Sequence, residues 1–151
     1  MNDLHSNINA VGLNAKGPVR FGVTGSVVAD LRGFSAAEVM VGVEGTGASF
    51  SAANLVRVAL FHGDTPTAAT AACSANDLIG VATAPDGVIL TLNTSTAAAP
   101  QVLKVGYKGG RRYLRVRHTA SGTASGTVTG FTQTRLNYTV IRGRAGQRPV
   151  A

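Results

Sequence analysis

Tryptophan is absent from this 151-residue chain, and the other large aromatics are few, with Phe 5 and Tyr 3. A core built from such a chain rests on Val, Leu, Ile and Ala. There is one cysteine, Cys73, so no internal disulfide can form and a stapled small scaffold is excluded. Cys73 sits in Ala-Ala-Cys-Ser-Ala with no charge within three positions, which reads as an inert small residue rather than an activated thiol. No apolar run approaches the roughly 18 residues of a membrane helix, and the first residues carry neither a basic nor an apolar targeting segment. The expectation is a protein made in the cytoplasm, with no membrane partner.

Acid is missing from the second half. Residues 1–86 hold seven acids against four bases, whereas residues 87–151 hold ten bases and no acid, giving +7 in all. Such asymmetry points to an acidic partner for the C-terminal half, either a protein surface or a nucleic acid.

What is present is alternation. Val19/Phe21/Val23, Val39/Val41/Val43, Val56/Val58/Leu60, Val88/Leu90/Leu92, Leu103/Val105/Tyr107, Leu114/Val116 and Leu136/Tyr138/Val140 each repeat at period two. Successive strand side chains point to opposite faces, so these seven runs predict half-buried strands, and residues 27–29 and 126–128 add short ones. Turn chemistry lies between them: Gly45-Thr46-Gly47, residues 62–66, Pro85-Asp86-Gly87 and Gly109-Gly110. Residues 67–78 are Ala-rich without an amphipathic stripe and read as a loop with room for one helical turn. Residues 94–100 and 119–129 read as exposed loops. The fold predicted is all-β: a single-domain antiparallel β-sandwich or jelly-roll-like barrel with extended termini. Its divisions are an extended arm over 1–18, a sandwich over 19–142 and a basic tail over 143–151.

Motifs that carry chemistry do not emerge. His5, His62 and His118 lack the spacing of metal ligands, and His118 shares a strand face with Leu114 and Val116, as a satisfied histidine would. No nucleophile elbow or paired-carboxylate pattern stands out, and neither Gly-rich stretch (42–47, 106–110) has phosphate-loop spacing or leads into a helix. The expectation is a non-enzyme without cofactor or metal.

The strongest local feature is residues 104–117, Lys-Val-Gly-Tyr-Lys-Gly-Gly-Arg-Arg-Tyr-Leu-Arg-Val-Arg. It reads as a β-hairpin with Lys108, Arg111 and Arg112 at its tip and Tyr113, Arg115 and Arg117 on one face. A second basic group, Arg142, Arg144 and Arg148, lies in the tail. Arg and Tyr together suit a protein interface first, a solvated face second and single-stranded nucleic acid third.

Several segments together resemble a known group: Asp-Leu-His-Ser-Asn-Ile at 3–8, Asp-Leu-Arg-Gly-Phe at 30–34, Asp-Leu-Ile-Gly at 77–80, residues 105–116, and Val-Ile-Arg-Gly at 140–143. They are similar to small virion proteins of tailed bacteriophages, of the head-decoration or cement type. The resemblance implies a structural protein on the outer capsid surface. It would bind across joints between major capsid protein subunits and self-associate, with a homotrimer favoured. A neck, tail or head-spike component is the alternative, and a nucleic-acid-binding β module ranks behind it. On this reading the nine residues of the two basic clusters are the capsid or subunit interface. Replacing Arg112, Arg115 and Arg117 with Glu is then expected to spare folding, as is removal of residues 1–18.

Overall fold

The computed structural model describes residues 9–14, 24–44, 50–81, 85–94, 101–122 and 134–143. Eight longer strands carry the fold: β1 (Asn9–Asn14), β2 (Thr24–Asp30), β3 (Ala36–Glu44), β4 (Leu55–Gly63), β7 (Val88–Leu92), β8 (Gln101–Tyr107), β9 (Tyr113–Ser121) and β10 (Arg135–Gly143). Two-residue strands β5 (Ala71–Ala72) and β6 (Leu78–Ile79) and two single 3₁₀ turns, Ala75–Asp77 and Pro85–Gly87, fill the connection from β4 to β7. The segment 67–78 is thus the loop with one helical turn that its composition suggests.

All pairing is antiparallel, in two sheets. Sheet A runs β1-β10-β3-β8-β6, and sheet B runs β2-β9-β4, with β7 and β5 sharing the far edge of β4. With the two shortest strands set aside and the other eight counted along the chain, the orders are 1-8-3-6 and 2-7-4-5. That interleaving is the jelly roll, two Greek keys folded into a sandwich.

The alternation explains the packing. Val39, Val41 and Val43 of β3 face Val56, Val58 and Leu60 of β4 and Leu114 and Val116 of β9 in one core, with Leu136, Tyr138 and Val140 from β10. Their intervening neighbours point out. β-Branched residues fill a pleated, two-sided interior well, which lets the sandwich close with few aromatics. At the entry to β7, Asp86 (φ 53°) and Gly87 (φ 73°) are both left-handed. A Cβ on Gly87 would lie 2.3 Å from the Leu60 carbonyl oxygen, so only glycine lets this turn seat against β4.

Three expectations are corrected. Residues 104–117 do not form a hairpin: β8 pairs with β3 and β6 in sheet A, and β9 with β2 and β4 in sheet B. The five residues between them form an arch from one sheet to the other. A left-handed glycine between two alternating runs serves an arch as well as a hairpin, so the local signal could not separate them. Residues 9–14, placed in the extended arm, instead pair over their whole length with β10 as the edge strand of sheet A. Finally, β9 continues through Ser121, into the segment read as a loop. The run 19–23, the Gly45-Thr46-Gly47 turn, the short strand at 126–128, most of the loop 94–100 and residues 144–151 lie outside the described residues.

Candidate functional site

The arch is anchored by Tyr107, the last residue of β8 and fully buried. Gly109 rests against its ring, where a Cβ would come within 2.7 Å of the ring carbons. The Arg111 backbone N–H donates to the Tyr107 hydroxyl (3.1 Å). The same hydroxyl lies 3.0 Å from His62 Nδ1 and shares a hydrogen bond with it, whose direction is set by the His62 tautomer. Lys108 N–H donates to the Asp77 carbonyl (2.8 Å), and Leu31 N–H to the Arg112 carbonyl (2.7 Å). The Asp77 side chain caps its own 3₁₀ turn through Ser74, whose hydrogen bonds hold its carboxyl below the usual range.

Four of the predicted interface arginines, Arg111, Arg112, Arg115 and Arg142, donate to groups within the domain. Arg112 grips Asp30 with two parallel bonds, 3.1 and 2.8 Å, and stacks 4.8 Å from the Tyr113 ring centre. The Arg112 bond is the main reason Asp30 stays below the ordinary carboxylate range. Arg111 pairs with Asp64 at 2.5 Å, both well exposed. Arg115 donates to the carbonyls of Pro66 (2.9 Å) and Thr67 (3.4 Å), pinning that loop onto sheet B. Arg142 donates to the Asp30 carbonyl (2.9 Å) and lies over Phe34. Lys108 is exposed, and Arg117 is exposed with its guanidinium 4.0 Å above Phe61. Arg144 and Arg148 lie outside the described residues.

Two consequences follow. Residues 30–34, 77–80, 105–112 and 142, remote in sequence, meet at one end of the sandwich, where they tie the arch to both sheets. And the charge asymmetry along the chain is partly neutralised in space, since Asp30 and Asp64 of the acidic half meet arginines of the basic half. Replacing Arg112 and Arg115 with Glu therefore also breaks contacts inside the domain, so lost attachment in that variant would not isolate a capsid contact.

The outer faces of the two sheets differ. On sheet B, the cross-strand register sets Arg57 beside Thr119, Ala59 beside Arg117, and Phe61 beside Arg115. The described strands of sheet B thus present Arg57, Arg115 and Arg117 against one carboxylate, Asp30, which Arg112 already holds. Arg57 was not among the predicted residues. Its alternation with Val56 and Val58 marks it as outward, but only the β4–β9 register places it in line with Arg117.

On sheet A, the outward residues of β3 are Ala36, Glu38, Met40, Gly42 and Glu44, beside Val102, Lys104 and Gly106 of β8. Ile79 and Val102 are the large exposed hydrophobics of the described residues, at 58% and 65%, and both belong to this face. A shallow groove of about 480 Å³ runs between Ile79 and Ile141 over Ala36 and Gly106, with Glu38 and Lys104 at its sides.

In the interior, His118 is buried and its Nδ1 is 2.9 Å from the Tyr138 hydroxyl. Burial lowers its pKa below the ordinary 6.5. Cys73 is buried, and desolvation pushes its thiol up to about 12, which keeps it a protonated thiol at neutral pH. Among the described residues no three His, Cys, Asp or Glu side chains are grouped to hold a metal. No protein-family model matches the chain, and no curated protein matches it.

Proposed function

We propose that this chain is an adhesive structural protein of a tailed-phage virion, a decoration or cement protein bound across joints between major capsid protein subunits. The observation that carries the attachment surface is the arginine band on sheet B, with Arg57 and Arg117 exposed and no free carboxylate on the same strands. Such a band is attracted to an acidic protein surface, and guanidinium groups pair with carboxylates in two-point bonds. Lys108 extends the cationic surface at the arch. The resemblance of the segments at 30–34, 77–80 and 105–116 to phage virion proteins supplies the identity of that surface. The jelly roll is in keeping with it, since viral capsid domains use this fold repeatedly, though so do lectins and cupins, so this support is by analogy.

Arg111, Arg112, Arg115 and Arg142 serve mainly to hold the domain together on this reading, and contact with the capsid falls to Arg57, Arg117 and Lys108. The test is a map of the purified particle together with attachment of charge-reversed protein. Density for the chain over the shell, lost with Arg57→Glu and Lys108→Glu while the circular dichroism spectrum is unchanged, supports the reading. Density only at the neck or tail overturns it in favour of a connector. Tight, steeply salt-dependent binding to single-stranded DNA without particle attachment overturns it in favour of a nucleic-acid module.

A further inference from the structure

We propose that the outer face of sheet A is the surface on which two copies of this chain pair, about a two-fold axis that runs parallel to the strands between β3 and β8. This deepens the adhesive reading by naming the self-association surface, and it is testable apart from capsid attachment.

Low relief comes first. Gly42, Gly106 and Gly143 with Ala36 give this face little height, so a second sheet can approach closely. The apolar side chains that stand above it are Met40, Ile79, Val102 and Ile141. Exposed apolar surface of this kind gathered on one sheet face is what an interface core uses.

Symmetry comes second. The line between β3 and β8 has β10 beyond β3 and the two-residue β6 beyond β8, with β1 outside β10. Rotation about that line leaves strand directions aligned, the arrangement in which sheets ordinarily stack. It sets each outward row against the same row reversed. Ile141, Glu38, Gly106 and Ile79 form one such row. Ile141 of one copy then meets Ile79 of the other, closing the groove from both sides. In the row of Gly42 and Val102, the exposed valine of one copy stands over the glycine of the other. A self-complementary patch is the requirement for an isologous two-fold contact.

Charge comes third, and it selects the occupant. The outward charges of this face are Glu38, Glu44, Lys104 and Arg135, two of each sign. Under the proposed rotation Glu38 lies diagonally opposite Lys104 of the second copy, twice over. Neither residue is in an ion pair among the described residues. Sheet B could not pair with itself in this way, because its arginine band would meet its own like charge. An acidic partner therefore suits sheet B, and a second copy suits sheet A. The contact makes a dimer where the resemblance favours a trimer.

Sedimentation velocity on the isolated full chain is the test. A reversible dimer is expected, converted to monomer by Ile79→Asp or Val102→Asp with an unchanged circular dichroism spectrum. Glu38→Lys alone should weaken the dimer by about tenfold, because like charges then oppose each other, and Lys104→Glu added to it should restore most of the loss. A chain that stays monomeric at millimolar concentration, one that forms a trimer, or a dimer indifferent to all four substitutions overturns the proposal. None of these outcomes bears on where the chain sits on a particle.

Discussion

Gly25→Ala tests how tightly the two sheets are locked at His118. Gly25 on β2 pairs directly with His118 on β9, and the imidazole lies across it. A Cβ built on Gly25 would be 2.2 Å from His118 Cε1 and 2.6 Å from Nε2. The ring cannot simply swing out, since it is 7% exposed and its Nδ1 is bonded to the Tyr138 hydroxyl on the opposite sheet. The added methyl must therefore shift β2 or break the His118–Tyr138 bond. Overpacking costs about 1–3 kcal/mol, and breaking the bond costs a similar amount by stranding a buried hydroxyl. For a chain of this size that corresponds to a fall in Tm of about 3–10 °C. The assay is urea and thermal unfolding of four proteins: wild type, Gly25→Ala, His118→Ala and the double variant. His118→Ala removes the obstacle, so Gly25→Ala in that background should cost less than about 1 kcal/mol, and the two changes should be strongly non-additive. Additive losses, or a neutral Gly25→Ala, would refute the argument that the imidazole occupies the space above Gly25.

The same histidine sets a pH dependence. Its folded pKa lies below the ordinary 6.5, so the unfolded chain takes up this proton first as pH falls. Stability should be fully present above about pH 6.5, decline below it, and lose this decline in His118→Ala; an unchanged slope would contradict the burial. A separate loss, retained in that variant, is expected as pH drops through and below 3.8, where Asp30 and Asp77 forfeit the hydrogen bonds that keep them ionised. Cys73, with its thiol pushed up to about 12, should resist a thiol reagent in the native state and react fully once urea unfolds the chain; rapid native labelling would contradict its burial. Gly87→Ala should prevent or severely weaken folding, because it combines a left-handed φ of 73° with a clash against the β4 backbone; near-native stability would show that the turn can be rebuilt.

Alternation of Val and Leu was enough to identify β3, β4, β7, β8, β9 and β10, because period two is a local property of a pleated chain. The outward placement of Tyr113, Arg115 and Arg117, and the inward placement of His118, follow from the same parity. The inertness of Cys73 was legible too, from uncharged neighbours and its place among alanines. What each strand pairs with was not legible. The arch at 108–112 carries the same residues a hairpin would, and its course is decided by the adjoining Tyr107 hydroxyl together with Asp77 and Leu31, which come from two distant parts of the chain. β1 was hidden because Asn9–Asn14 has little alternation of its own and exists as a strand by pairing with β10. The roles of the arginines were decided the same way. Sequence shows a guanidinium and its spacing, whereas the carboxylate or carbonyl that occupies it sits 48 to 112 residues away for Arg115, Arg112 and Arg142. Local sterics determine which way a side chain points; only the closing of one sheet on the other determines what it meets.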